Sequence, residues 1–142
     1  MQPVEIALVG IGGYGMFYVR ELLYAKPEVE FKFIAGIDKY PERSPFLSEL
    51  REANIPIYTS LESFYQEHTA DLVVISAPIH LHASLTCLAL SHGSNVLCEK
   101  PVCATLEEAD QMAEAERRSG KFVAIGYQWS FAAAIQSIKK DV

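Results

Sequence analysis

What this chain of 142 residues lacks narrows its class before any motif is read. No apolar run reaches the ~18–20 residues that a membrane-spanning helix needs. The opening residues, Met1-Gln2-Pro3-Val4-Glu5, have neither the basic stretch nor the long apolar core of a signal peptide, so a cytoplasmic location is expected. Basic residues are in deficit: Lys plus Arg is 12, Asp plus Glu is 18, and the net charge is −6. A nucleic-acid binder needs a basic face for the phosphates, and this balance argues against one. Cysteine is scarce and odd in number. Cys87, Cys98 and Cys103 each sit among apolar residues, which predicts buried thiols in a reducing compartment rather than disulfides. No repeat, low-complexity tract or Gly/Ser linker divides the chain, so one domain is expected. Half of the residues are apolar and 21% are charged, the mixture of a globular protein.

What is present is an alternation. Apolar runs read as strands at Val4 to Val9, Phe31 to Ile37, Ile55 to Tyr58, Asp71 to Ser76, Asn95 to Cys98 and Lys121 to Gly126. Between them lie helical patterns. Tyr14 to Ala25 has Met16, Phe17, Val19, Leu22 and Leu23 at helical spacing, with Pro27 to stop it. Pro41 to Glu52 is a helix that Pro45 interrupts. Ser60 caps a helix through His68, and another runs from His80 to Ser91, ended by His92-Gly93. Thr105 and Glu108 form a capping box for a helix through Ser119, stopped by Gly120. A last helix spans Phe131 to Lys140. Pro56 marks its strand as an edge. Unbroken apolar strands separated by helices predict a doubly wound α/β Rossmann fold: a mostly parallel sheet of about six strands, helices on both faces, in the order 3-2-1-4-5-6. Ligands then bind at the carboxyl ends of the strands.

The first strand runs into Gly10-Ile11-Gly12-Gly13-Tyr14-Gly15, a G-x-G-x-x-G loop between strand and helix. The first glycine permits a tight turn, the second lets backbone approach a pyrophosphate, and the third lets helix pack on strand. The helix N-terminus offers free N–H groups to the phosphates. No G-K-[ST] follows, which sets a P-loop aside. Asp38 ends the second strand, where a carboxylate accepts from both ribose hydroxyls and repels a 2′-phosphate. That favours NAD. The cations Lys39 and Arg43 could accommodate the phosphate and keep NADP open.

The fourth strand ends in Ser76-Ala77-Pro78-Ile79-His80-Leu81-His82, a loop expected to face the glycine loop. On a helix His80 and His82 would project ~200° apart, which argues against a shared metal, and no metal site is expected. The fifth strand ends in Glu99-Lys100-Pro101. A lysine there can hydrogen-bond a substrate hydroxyl, stabilise a developing alkoxide or relay a proton, with Glu99 to orient it. The plainer reading is an exposed Glu–Lys salt bridge in a turn. The sixth strand ends in Tyr127-Gln128-Trp129-Ser130-Phe131, aromatics suited to line a substrate pocket or to bury against a further domain.

Together VGIGGYG at 9–15, AGID at 35–38, VVISAPIHLHA at 73–83, VLCEKPVCATLEEA at 96–109 and the aromatic segment at 126–131 resemble the glucose–fructose oxidoreductase / inositol dehydrogenase (Gfo/Idh/MocA) family. The resemblance implies an NAD(P)-dependent oxidoreductase of sugars or polyols. By it, Gly10, Gly12 and Gly15 hold the pyrophosphate and Asp38 the adenosine ribose, and Ile11, Gly13, Tyr14, Lys39, Ala77, Pro78, His82, Glu99 and Lys100 are further cofactor-binding candidates. Lys100 is the catalytic candidate, and Tyr127, Gln128 and Trp129 are candidates for substrate contact. It further implies that residues 1–142 are the dinucleotide-binding domain of a longer homo-oligomer, with the substrate domain elsewhere. The loops depart from the family pattern at Ala77, Ile79, Gln128 and Ser130. The alternative is a non-catalytic NAD-binding sensor or interaction module.

Overall fold

The computed structural model describes residues 2–25 and 30–140. Pro27, expected to stop the first helix, lies outside the described residues. Six strands form one sheet: β1 (Val4–Val9), β2 (Phe31–Ile37), β3 (Ile57–Tyr58), β4 (Leu72–Ile75), β5 (Asn95–Cys98) and β6 (Val123–Ile125). Their order is β3-β2-β1-β4-β5-β6, and every pairing is parallel. The Rossmann expectation holds, including strand order.

The alternation along each strand shows why the sheet is covered on both sides. On β1, Ala7 and Val9 enter one core with Ile37, Val73, Ile75 and Val96, while Ile6 and Leu8 enter the other with Phe33 and Val74. The helices α3 (Leu61–Tyr65) and α4 (His82–Ser91) close the first core through Leu61, Phe64, Ala89 and Leu90. On the second face, α1 (Gly15–Tyr24) contributes Val19 and α2 (Leu47–Glu52) contributes Leu50.

Local chemistry sets the boundaries. Thr105 and Glu108 exchange the two capping-box hydrogen bonds at the start of α5 (Leu106–Ser119), and Gly120 ends it at φ 65°. Ser60 caps α3 in a similar box with Ser63. The expected helix from Pro41 to Glu52 is two pieces: a 3₁₀ turn at Pro41–Arg43, then α2. Ser44, before Pro45, is extended, as the proline ring demands. The helix expected from His80 begins at His82, after a 3₁₀ turn at Ile79–Leu81. The helix expected from Phe131 is likewise a 3₁₀ turn at Gln128–Phe131 followed by α6 (Ala133–Ile138). Among the described residues no helix is long and apolar enough to cross a membrane. Of the three thiols only Cys98 is buried; Cys87 and Cys103 are half-exposed, a correction that follows from their places on a helix flank and in a loop. Burial pushes the Cys98 thiol up to about 11.

Candidate functional site

The glycine loop is shaped by close approach. Gly10 has φ +85°, and a Cβ there would run into the Ser76 carbonyl oxygen at the end of β4. A Cβ on Gly15 would strike the Gly10 carbonyl oxygen, so α1 can sit on the loop only without a side chain at 15. Gly12 differs. Its Cβ would meet nothing nearer than the Arg43 carbonyl oxygen at 3.7 Å, so folding alone does not demand glycine there. Among the described residues the N–H groups of Gly12, Gly13 and Tyr14 have no acceptor. Unpaired N–H groups, a bare Cα and a helix N-terminus fit a pyrophosphate.

Ile11 is turned into the core and is fully buried. Its N–H donates to Asp38 Oδ2 at 3.1 Å, and its carbonyl accepts from Ser44 Oγ at 2.8 Å. It shapes the cradle and has its own polar groups engaged. Asp38 also accepts the Tyr40 N–H on Oδ1 at 2.9 Å. The carboxylate thus pins the loop while each oxygen keeps a lone pair for a further donor. Beside it the Arg43 guanidinium lies 4.3 Å from the Tyr40 ring centre and the Lys39 ammonium 5.6 Å.

Across the loop, Ala77 and exposed Pro78 follow β4. His82, expected among residues meeting the cofactor, is turned inward and only 2% exposed. Its Nδ1 lies 2.9 Å from the Pro101 carbonyl oxygen and its Nε2 2.9 Å from that of Ala77. Both ring nitrogens therefore face protein. The imidazole joins the β4 loop to the segment after β5, the first turn of α4 aiming it back under the loop. His80 is exposed.

The Glu99-Lys100 segment is not an exposed ion pair. Glu99 is 6% exposed and, among the described residues, forms no salt bridge. Its Oε1 accepts from the Tyr18 hydroxyl at 2.6 Å, and its Oε2 accepts the Lys100 backbone N–H at 3.0 Å. Glu99 orients residue 100 through the main chain. Nothing in the sequence names Tyr18 as the partner of Glu99, since 81 residues separate the pair. The Lys100 ammonium is 5.8 Å from the Tyr14 ring centre. Gln128 Nε2 donates to the Tyr14 hydroxyl at 3.2 Å, which brings the loop after β6 onto α1. A cleft of about 370 Å³ opens between α1 and the ends of β5 and β6, lined by Tyr14, Tyr18, Glu99, Tyr127, Gln128 and Phe131 among others. Tyr127 is half-exposed, and Trp129, at 76% exposure, stands clear of the protein surface.

The pattern at the strand ends meets a match in known proteins. Residues 4–127 fit the model of the oxidoreductase family with an NAD-binding Rossmann fold. The chain belongs to this family. It is similar to the 2,7-anhydro-N-acetylneuraminate hydratase of Mediterraneibacter gnavus, 27% identical over 140 residues, covering 99% of this chain and 36% of that protein. The D-glucoside 3-dehydrogenase of Escherichia coli is 25% identical over 143 residues, covering 99% and 39%. A solved dehydrogenase from Chromobacterium violaceum aligns with TM-score 0.86 at 28% identity, over 99% of this chain and 40% of that one. The chain spans less than half the length of these relatives. The cofactor of this oxidoreductase family's Rossmann domain is NAD.

Proposed function

We propose that this chain supplies the cofactor half of a dehydrogenase that moves a hydride between nicotinamide and a CH–OH or carbonyl carbon of a sugar or polyol. The observation that carries this reading is Lys100: an exposed ammonium with no acidic partner among the described residues, held by its backbone at the end of the interior strand β5, on the same rim as the glycine cradle. The name of the D-glucoside dehydrogenase relative supports the substrate class. When bound, the nicotinamide would accept or supply the hydride.

Gly10, Gly12, Gly13, Tyr14 and Gly15 would hold the pyrophosphate, with Asp38 taking the adenosine ribose. Lys39 and Arg43 would leave NADP admissible beside NAD. Ala77 and Pro78 would flank the dinucleotide, and His82 would contribute by holding their loop. The Lys100 ammonium would donate a hydrogen bond to the substrate oxygen, stabilise alkoxide character there and relay its proton. Tyr127, Gln128 and Trp129 would form part of the substrate wall. The complete protein would be a cytoplasmic homo-oligomer, and residues 1–142 alone would bind NAD but turn over poorly, because much of the substrate positioning would be missing. The departures at Ala77, Ile79, Gln128 and Ser130 favour a second reading, an NAD-binding sensor or interaction module.

Steady-state rates on a polyol and sugar panel, with the complete protein and its Lys100→Ala variant, separate the two. The enzyme reading expects a loss of about 10²–10⁴-fold in kcat for the variant. Undiminished turnover would remove Lys100 from the chemistry, and absent turnover with intact NAD binding would favour the sensor.

A further inference from the structure

Lys100 is held from an unexpected direction. Its backbone N–H ends on Glu99 Oε2, and the other oxygen of that carboxylate is taken by Tyr18 from α1. The carboxylate also lies against bare backbone: a Cβ on Gly126 would stand 2.9 Å from Glu99 Oε1. Burial, and then the hydrogen bond to Glu99, hold the Tyr18 hydroxyl well above the usual tyrosine range, so it stays a donor. One turn earlier, at the cap of α1, Tyr14 lies beside the Lys100 ammonium and contacts the Tyr18 ring at 6.3 Å between centres, nearly edge to face. The same helix begins in the glycine cradle. A single rigid element thus carries the phosphate-binding loop and the phenol that anchors the turn bearing Lys100.

We infer that Tyr18 is a positioning residue for Lys100: through the Glu99 carboxylate it fixes the backbone from which the lysine reaches the nicotinamide end of NAD. This rests on the reading that Lys100 faces the nicotinamide. Removing the hydroxyl leaves a buried carboxylate with one donor fewer, and it frees the turn from α1. A purely structural tyrosine would affect all ligands of the cleft alike. A positioning tyrosine would affect only the ligand that reaches Lys100.

The test compares NADH with ADP-ribose, which lacks the nicotinamide. Calorimetric affinities are measured for the wild-type chain, Tyr18→Phe, Glu99→Gln, Lys100→Ala and the double variant Tyr18→Phe/Lys100→Ala, with melting temperatures alongside. The ratio of NADH to ADP-ribose affinity is expected to fall on the order of five- to tenfold in Tyr18→Phe, in Glu99→Gln and in Lys100→Ala. ADP-ribose affinity should stay within about twofold, and the double variant should fall no further than Lys100→Ala alone. Glu99→Gln serves as the test should Tyr18→Phe fail to fold. An unchanged ratio in Tyr18→Phe, an equal loss for both ligands, or additive losses in the double variant would overturn the inference. An unchanged ratio in Lys100→Ala would remove the underlying reading of the lysine, and with it the inference, and wild-type failure to bind either ligand would remove the cofactor site itself.

Discussion

On the β1–β2 side of the sheet's carboxyl end the candidate site groups are main chain: N–H groups of Gly12, Gly13 and Tyr14 that have no acceptor among the described residues, shaped by Gly10 and Gly15 and tied down by Asp38. On the β5–β6 side they are side chains: Lys100, buried Glu99, and Tyr18 reaching in from another element. The first side depends on what cannot be present, namely a Cβ. The second depends on partners distant in sequence arriving together. The same sheet end therefore holds one region protected by sterics and another protected by hydrogen bonding, and the two should fail in different ways.

The largest expected effect tests the steric side. Gly10→Ala combines a left-handed backbone with a collision against the Ser76 carbonyl, and it should cost about 4 kcal/mol of folding stability in urea denaturation. A wild-type denaturation midpoint would show that β1 and β4 do not need that approach. On the other side, His82→Ala removes a buried ring between the Ala77 and Pro101 carbonyls. It should cost about 3 kcal/mol, by the same measurement, from the cavity and from lost hydrogen bonds. A loss below 1 kcal/mol would mean that water replaces the ring at little cost.

A smaller effect depends on pH. Cys98, fully buried, has its thiol raised from 9.0 to about 11, chiefly by burial and, to a smaller extent, by the neighbouring Glu99 charge. The unfolded chain ionises first as pH rises. The thiol's contribution is therefore complete below pH 9 and is lost as pH climbs through about 11, by about 2–3 kcal/mol in all. Denaturation midpoints measured across that window should fall less steeply in Cys98→Ala, and identical slopes would contradict the burial of this thiol. The smallest effect on stability is predicted for Gly12→Ala, within ~0.5 kcal/mol, because no atom of the chain occupies the place of its Cβ.

The steric side was legible in the sequence and the other side only in part. G-x-G-x-x-G, Asp38, the strand runs and the Thr105–Glu108 box are local patterns, each enforced by backbone geometry within a few residues. The sheet order followed from them because crossovers have one hand. Pro45 announced a break in its helix but not how Ser44 would use it, bonding to Ile11 across 33 residues. Glu99 and Tyr18 lie 81 apart, and nothing in either neighbourhood names the other. His82 was legible as a loop residue, but its inward turn was not, since that depends on two carbonyls from different loops. A pattern with period 3.6 or 2 says which face is buried, and it does not say which polar group waits there.

The claim that the glycine loop is shaped for a ligand rather than for folding is tested most directly by titrating NAD into wild type and Gly12→Ala by calorimetry, with melting curves of both free proteins. The account predicts coincident melting curves and a loss of NAD affinity of tenfold or more, about 1.4 kcal/mol, in the variant. Equal NAD affinity in the two proteins, or a variant that loses binding only because it no longer folds, would contradict it.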